Sequence, residues 1–253
     1  MISVCVATFN GGKYIKTQIE SILKQLGEND EVIVSDDNSS DDTIEILKDL
    51  NDNRIKIYTH NPNLSLKKMK LGSYRLVADN FQNSLKYAKG DYVYLSDQDD
   101  IWCESRLVKT LEALKKNKVV LCNFSIINND GIVIKSKEYN DSNVPVRNSF
   151  LYNITKCRFM CCCMAFSRDV LKYALPFPKK LMSCDQWIGN MATLLGNCKY
   201  ISEPLHLYRR HENNVSETTE KSKNSFVFKI YFRLYIFTLV IIRFLKCKIK
   251  GIK

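Results

Sequence analysis

Short apolar segments alternate with helical patterns through residues 1–102 of this chain. The spacing predicts strands over 2–8, 31–35, 54–58 and 91–96, with helices over 13–26, 43–50 and 79–88 between them. Alternating strands and helices are typical of a mostly parallel sheet that helices cover on both faces. We therefore expect an α/β fold whose first half is built on such a sheet.

Beyond Trp102 the pattern becomes mixed. It predicts a helix over 104–116, a hairpin of strands 119–127 and 132–134 around Asn129-Asp130-Gly131, a strand over 158–166, a helix over 185–195 and extended structure over 199–209. No repeat or low-complexity linker divides the sequence. We expect one domain over 1–220, with a first half at 1–102 and a second at 103–220, followed by a separate tail at 221–253.

The positive charge of the chain is concentrated in this tail. The net charge is +11, and residues 221–253 contain nine Lys or Arg and no Asp or Glu. Such a distribution excludes a uniformly basic nucleic-acid binder. The segment 226–245 is strongly apolar, and its cations Lys229, Arg233 and Arg243 lie within about 80° of one another on a helix.

An apolar helix with a narrow basic stripe is suited to an anionic membrane surface. Its longest uncharged run, 234–242, is too short to span a bilayer. The alternative is a helix packed on the protein's own core or on a second copy in a homodimer. Residues 1–6 lack the features of a secretory signal, so we expect a cytoplasmic protein held peripherally at the inner face of the membrane.

Ten cysteines fit a reducing compartment, where they act as small apolar side chains. Cys161-Cys162-Cys163 is the one cluster, but adjacent residues of a strand point to opposite faces and cannot all bind one ion. We expect these three to belong to a buried strand.

Carboxylates follow two of the predicted strands. Asp36 and Asp37 end the second, and Asp97, Asp99 and Asp100 follow the fourth. Strand ends of an open α/β sheet face one ligand-binding crevice, and ionised carboxylates this close repel one another unless a cation lies among them. Carboxylate oxygens suit Mg²⁺ or Mn²⁺, so we predict a metal site that neutralises a phosphorylated ligand. The alternative is an acidic surface turn.

Six segments around these carboxylates resemble the family 2 glycosyltransferases, whose GT-A fold has a mostly parallel, Rossmann-like sheet. They are VCVATFNG at 4–11, VSDDNSSDDT at 34–43, SDQDDIW at 96–102, MAF at 164–166, DQW at 185–187 and YRRHENN at 208–214. The third is similar to the family's DxD element, in the form found in bacterial rhamnosyltransferases that build surface polysaccharides.

This resemblance implies a donor-binding set and a metal-binding set. On the donor side, Asp37 would contact the nucleotide base, Thr8 and Asn10 would line its pocket, Asp97 would bind the ribose and Arg210 the diphosphate. For the metal, Mg²⁺ or Mn²⁺, the resemblance implies Asp99 with Asp100 in support, and His211.

The resemblance also implies an acceptor side. Asp185 would be the general base of an inverting transfer, and Trp187, Cys162 and Met164 would lie beside the acceptor. Taken alone, an Asp at this position is more often a helix N-cap than a general base, and the Trp187 context and the order of the motifs favour the base. Arg209 and Arg210 are equally compatible with a solvated strand end.

The implied reaction is metal-dependent transfer of a sugar from dTDP-rhamnose or a UDP-hexose to a growing, lipid-linked surface polysaccharide. One alternative is a sugar-phosphate nucleotidyltransferase, which needs a glycine-rich basic loop that Asn10-Gly11-Gly12-Lys13 matches only as a fragment. The other is a non-catalytic nucleotide-sugar-binding module, and the presence of Asp185 argues against it.

Overall fold

Nine strands form one sheet in the computed structural model, which describes residues 1–140, 143–212, 214 and 224–252. In chain order they are β1 (Ile2–Thr8), β2 (Glu31–Asp36), β3 (Ile55–Thr59), β4 (Tyr92–Ser96), β5 (Ile101–Trp102), β6 (Val119–Ile127), β7 (Val133–Lys135), β8 (Met164–Ser167) and β9 (Cys198–Arg209). Their spatial order is β3-β2-β1-β4-β8-β6-β9-β5, and β7 pairs with β6.

The first half of the sheet is parallel, as the alternation predicts. β1 pairs in parallel with β2 and β4, and β2 pairs in parallel with β3. Beyond β4 the sheet is mixed, because β8 runs antiparallel to both β4 and β6 while β6 and β9 are parallel. This confirms the expected α/β fold with a parallel first half and a mixed second half.

Helices cover both faces of the sheet. They are α1 (Gly12–Leu23), α2 (Thr43–Asp49), α3 (Gly72–Leu85), α4 (Arg106–Leu114), α5 (Phe150–Lys156), α6 (Val170–Ala174), α7 (Cys184–Leu195) and α8 (Phe226–Ile249). Alternate residues of β1 belong to different cores: Val4 and Val6 pack with Ile15 and Ile19 of α1, and Cys5 packs with Phe81 of α3. Both faces of the strand are therefore apolar.

Several predicted boundaries are wrong. The strand predicted over 158–166 is a 3-10 helix at Cys161–Cys163 followed by β8, so the three cysteines do not form a strand, although Cys162 and Cys163 are buried. α3 begins seven residues before the predicted helix. α5 and α6 have seven and five residues, which is too short for a helical period to show in the sequence.

The tail forms α8, one face of which packs on the domain. Ile236, Val240 and Cys247 are buried, and the Arg243 guanidinium donates hydrogen bonds to the carbonyl oxygens of Leu175 (3.2 Å) and Pro176 (2.6 Å). Packing on the protein's own core, the alternative raised for this segment, therefore accounts for one side of the helix. Among the described helices, none has the length and hydropathy needed to cross a bilayer.

Part of the predicted tail lies outside the described residues. This applies to Lys221, Lys223 and Lys253 and to the boundary set at residue 220, and it applies also to Asn213 of the last family-like segment. The division into a domain and a tail stays a prediction.

Gly189 of α7 offers a test of the packing between α7 and the segment before β8. A Cβ at this position would lie 2.4 Å from ring atoms of Phe159. Alanine normally stabilises a helix interior over glycine by about 1 kcal/mol, whereas overpacking a core costs about 1–3 kcal/mol. We expect the clash to dominate, so Gly189→Ala should lower the free energy of unfolding measured in urea.

The matched control is the same substitution beside a smaller neighbour. In the background of Phe159→Leu, Gly189→Ala should cost markedly less, because the obstructing ring is gone. A stabilising effect of Gly189→Ala in the otherwise unchanged protein would contradict this packing.

Candidate functional site

The sheet brings the predicted carboxylates to one edge. Thr8 at the end of β1 is in register with Asp36 at the end of β2, and Asp37 follows directly. Asp97 follows β4, the other parallel neighbour of β1. Parallel strands end on the same side, and this common edge is where open α/β sheets bind ligands.

Asp36 fixes the first loop of the site and is itself buried. Its Oδ1 accepts hydrogen bonds from the hydroxyls of Thr8 (2.8 Å) and Ser39 (2.6 Å), and its Oδ2 accepts one from the Ser39 amide (2.8 Å). Asn10 has a φ of 49°, and its Oδ1 accepts a hydrogen bond from the Ser40 amide at 2.8 Å. Thr8 and Asn10 thus shape the loop in which they were predicted to line a pocket.

Asp37 is paired with a histidine that the sequence reasoning missed. Its Oδ1 lies 2.6 Å from Nδ1 of His60, whose Nε2 lies 3.7 Å from Oδ2 of Asp79. Burial raises the pKa of Asp37, and the hydrogen bond with His60 opposes that rise. His60 directly follows β3, so the sequence feature that could have identified it is a polar residue at the end of a predicted strand, at the same edge of the sheet.

Gln98, inside the DxD-like segment, joins two loops of the site. Its side-chain Oε1 accepts a hydrogen bond from the Phe9 amide (2.8 Å), and its Nε2 donates to the Phe9 carbonyl (3.1 Å). A Cβ on Gly11 would lie 2.5 Å from this Oε1, so a larger residue there would displace the Gln98 side chain. The loop after β1 and the acidic loop are therefore held as one unit.

Asp100 is buried and fully engaged by the second half of the domain. Its Oδ1 accepts a hydrogen bond from the Arg209 amide at 2.9 Å, and its Oδ2 lies 2.8 Å from Nε2 of His206. The Arg106 guanidinium in turn hydrogen-bonds Nδ1 of His206 and donates to the Cys162 carbonyl at 2.5 Å.

The donors in this network fix the state of His206. A guanidinium can only donate, so Nδ1 of His206 accepts, and Nε2 carries the hydrogen that is donated to Asp100. Burial and the neighbouring Arg106 charge lower the pKa of His206 well below its usual value, which agrees with a neutral ring. Asp100 is held in place by this chain of contacts, as a supporting role requires.

Asp99 and His211, the two predicted metal ligands, lie together. Oδ2 of Asp99 is 2.7 Å from Nε2 of His211 and 3.3 Å from Nδ2 of Asn214. The Tyr14 ring stacks on the imidazole with ring centres 5.2 Å apart, and Nε of Arg209 donates to the Asp99 carbonyl at 2.8 Å. The loop after β9 therefore converges on the acidic loop.

The carboxylates of the acidic cluster repel one another. Within the part of the chain that the structure describes, no lysine or arginine forms an ion pair with Asp97, Asp99 or Asp100. Burial, reinforced by the neighbouring carboxylates, raises the pKa values of Asp97 and Asp100 well above their usual range. A divalent cation among them would relieve this repulsion.

The chemistry of the donor atoms fits a hard cation. Ligand atoms of Asp97, Asp100 and Cys162 lie within 4.8 Å of one another, and Asp99 and His211 contribute an oxygen and a nitrogen nearby. Burial raises the pKa of the Cys162 thiol well above its usual value, so the sulfur stays protonated and donates to the carboxylates. The carboxylate oxygens are then the ligands that suit Mg²⁺ or Mn²⁺.

Asp185 lies in the first turn of α7 and is partly exposed. Its Oδ1 accepts hydrogen bonds from the Ser183 hydroxyl and from the Gln186 amide (2.7 Å), and no described residue hydrogen-bonds its Oδ2. Burial raises the pKa of Asp185, and its charge contributes to the raised pKa of Asp97. The two carboxylates therefore lie within electrostatic range of one another.

The three residues predicted beside an acceptor are not on a surface that an acceptor reaches. Trp187, Met164 and Cys162 are each 0% exposed, and the Trp187 indole donates to the carbonyl of Ala174 at 3.0 Å. α7 turns Asp185 to the crevice and Trp187 to the core, while Met164 starts the central strand β8. In this structure these three are core residues.

Of the two adjacent arginines, Arg209 differs from the solvated strand end raised as an alternative. Arg209 is 4% exposed and anchors the acidic loop, so it is not a solvated end. The main-chain amide of Arg210 donates to the Ile127 carbonyl at 2.9 Å, which places this residue at the same end of the sheet. Its contact with a diphosphate stays a prediction.

Comparisons with known proteins agree with this architecture. A family model described as "Glycosyl transferase family 2" matches residues 3–174. The Escherichia coli protein named UDP-Glc:alpha-D-GlcNAc-diphosphoundecaprenol beta-1,3-glucosyltransferase WfgD is 29% identical over 184 residues, which are 71% of this chain and 66% of that protein. The chain thus spans just under two thirds of that relative's length.

A second relative matches more of the chain. The Campylobacter jejuni protein named GalNAc(5)-diNAcBac-PP-undecaprenol beta-1,3-glucosyltransferase is 30% identical over 236 residues, which are 89% of this chain and 69% of that protein. Among solved structures, Staphylococcus aureus TarS 1-349 in complex with UDP-GlcNAc superposes with a TM-score of 0.66 at 21% identity, covering 93% of this chain and 66% of that one. At this identity the likeness shows a shared GT-A fold.

Removing one charge from the acidic cluster should stabilise the metal-free protein. Folding raises the pKa of Asp97 above the unfolded value of about 3.9. The contribution of this group to folding stability is therefore fully present below about pH 3.9 and is lost as pH rises through the folded-state pKa. At pH 7.5 the ionised group therefore opposes folding. Asp97→Asn should raise the melting temperature in EDTA, by about 2–4 °C per kcal/mol recovered.

The same variant should lose the stabilisation that Mn²⁺ gives to the unaltered protein. Asp49→Asn, an exposed carboxylate on α2, is the matched control and should change neither measurement. An Asp97→Asn protein that is less stable in EDTA and still responds to Mn²⁺ would contradict the description of the cluster.

Proposed function

Because this chain belongs to glycosyltransferase family 2, we propose that it transfers a sugar from a nucleotide-sugar donor to a lipid-linked glycan of a surface polysaccharide. The observation that carries this proposal is an acidic cluster that forms no ion pair with lysine or arginine among the described residues and lies within electrostatic range of Asp185. The names of the two relatives, both glucosyltransferases for acceptors on undecaprenol diphosphates, support the lipid-linked acceptor.

The donor is proposed to bind along the ends of β1, β2 and β4. The Asp37 carboxylate would accept a hydrogen bond from the imide N–H of uracil or thymine, while its hydrogen bond with His60 holds the carboxylate in place. Thr8 and Asn10 would shape the base pocket, and Asp97 would meet the ribose. Of the two donor classes, dTDP-rhamnose and a UDP-hexose, the name of WfgD favours the UDP-hexose.

Asp99 and His211 are proposed to hold Mg²⁺ or Mn²⁺, supported by Asp100. A bound divalent cation supplies Lewis-acid neutralisation of the charge on the departing nucleoside diphosphate. The network of Arg106, His206 and Asp100 keeps the acidic loop in one position before any ligand arrives. Arg210 is proposed to meet the diphosphate from the end of β9.

Asp185 is proposed as the general base. An acceptor hydroxyl attacks the anomeric carbon from the side opposite the leaving diphosphate, its proton passes to Oδ2 of Asp185, and the configuration inverts. Ser183 and the start of α7 hold Oδ1, which aims the other oxygen at the acceptor. The pKa of Asp185, raised by burial, makes the carboxylate a stronger base than one in water.

The variants Asp185→Asn and Asp99→Asn should separate chemistry from donor binding. Asp185→Asn removes the proton acceptor, so kcat should fall by about 10²–10⁴, while Mn²⁺ and UDP together should still raise the melting temperature. Asp99→Asn should lose both the activity and this joint stabilisation. Product formation from UDP-glucose and dTDP-rhamnose on a diphosphate-linked N-acetylglucosamine acceptor measures the first quantity. Near-normal turnover by Asp185→Asn would contradict its role.

We propose that α8 also holds the enzyme at the inner face of the cytoplasmic membrane. Its outward side exposes large apolar residues, namely Phe226, Val227, Ile230, Tyr231, Leu234, Phe237, Ile242, Leu245 and Ile249. Lysines 246 and 248 lie in its last turn. An apolar face with cations is suited to anionic lipid, and it would place the enzyme where its lipid-linked acceptor lies.

Charge on this outward face should release the protein from membranes. The double variant Ile242→Glu/Leu245→Glu should reduce sedimentation with phosphatidylglycerol vesicles at least about tenfold, because both side chains leave the apolar phase. Val108→Glu is the matched control, since Val108 is 72% exposed on α4. A homodimer that the double variant dissociates, with no vesicle binding by the unaltered protein, would contradict the membrane role.

A further inference from the structure

A groove runs between α5 and α8 on the outward side of the domain. Its volume is about 320 Å³, at the lower end of the roughly 300–1,000 Å³ typical of small-molecule sites. Its lining residues are Ile154, Thr155, Ile230, Arg233, Leu234 and Phe237. Five of these six are apolar or uncharged, so the groove suits an apolar ligand with one anionic group.

The apolar walls are open to solvent. Ile230 is 41% exposed, Leu234 is 60% exposed and Phe237 is 37% exposed, and Leu151 on the neighbouring α5 is 69% exposed. The Phe237 ring packs on Phe150 with ring centres 5.9 Å apart, which ties the two helices together at the groove. An apolar chain lying here would bury surface that the protein leaves in water.

Arg233 is the cation of the groove. Among the described residues no carboxylate forms an ion pair with it, and it lines the groove together with Ile154 and Thr155 near the end of α5. The segment that follows α5 lies against the start of α7, because the Gln186 side-chain amide donates to the Phe159 carbonyl at 2.8 Å and the sulfurs of Cys161 and Cys184 are 3.3 Å apart. The α5 end of the groove therefore adjoins the first turn of α7, which contains Asp185.

We propose that this groove binds the first isoprene units of a polyprenyl diphosphate acceptor, with its diphosphate at Arg233. The proposal rests on the proposed function. A lipid-linked sugar carries its reacting hydroxyl, its diphosphate and its apolar chain in that order. On the protein, Asp185 lies at the start of α7, and the neighbouring groove is lined by Arg233 and by apolar side chains. Guanidinium groups bind phosphate oxygens through paired donors, which complements the diphosphate.

Binding is tested with farnesyl diphosphate on the full chain in EDTA, where diphosphate cannot bind through a metal. Inorganic diphosphate and farnesol are the two partial ligands, and calorimetry measures each dissociation constant. Farnesyl diphosphate should bind at least about tenfold more tightly than either part, because it uses the cation and the apolar walls together. Arg233→Gln and Leu234→Asn should each weaken it about tenfold.

Two exposed residues of the same helix supply matched controls. Lys246→Gln and Leu245→Asn change the same kinds of side chain outside the groove and should leave the dissociation constant unchanged. Equal weakening by Leu245→Asn and Leu234→Asn would mean general partition onto α8 and would overturn the proposal. Equal competition by a short-chain phosphatidylglycerol, which also joins a phosphate to apolar chains, would overturn it too.

A separate readout distinguishes the groove from the proposed reaction. Stabilisation by Mn²⁺ and UDP reports the donor site, and Leu234→Asn should leave it intact. A protein that binds farnesyl diphosphate in the groove without this donor stabilisation would contradict the glycosyl transfer while supporting the groove. The reverse result would contradict the groove alone.

Discussion

The repulsion among the carboxylates at 97–100 is the constraint around which the second half of the domain is arranged. No lysine or arginine of the described chain neutralises them, and the protein instead fixes them through neutral and main-chain donors. Arg106 stabilises the loop indirectly, through its hydrogen bond to His206, so its guanidinium does not pair with the carboxylates. The cluster thereby stays available to the divalent cation that we propose it binds.

This arrangement also explains why β9 matters to the site. Its last residue, Arg209, binds the acidic loop through its amide and its guanidinium, and His206 on the same strand reaches Asp100. β9 in turn lies parallel to β6 in the mixed half of the sheet. The second half of the domain thus determines the geometry of the acidic loop at the end of the first half, although the two are separate in sequence.

The parallel strands and the carboxylates at their ends were predictable because each depends on local alternation and on where strands stop. The partners of those carboxylates were not. His60 lies 23 residues from Asp37, and His206 lies 106 residues from Asp100, so only the packed sheet brings them together. The burial of Trp187 depends on which face of α7 meets the core. A run of three cysteines is equally compatible with a strand and with the 3-10 helix that the structure shows.

The two tryptophans of the chain lie beneath the two surfaces for which we propose functions, the acidic edge of the sheet and helix α8. Trp102 carries the Arg106 guanidinium 4.2 Å from its ring under the acidic cluster, and Trp187 has that of Arg243, from α8, at 5.7 Å. Each indole is buried beside one arginine side chain. Intrinsic fluorescence therefore carries two local signals, and replacing either indole by phenylalanine would assign the emission changes that ligands cause to one surface or the other.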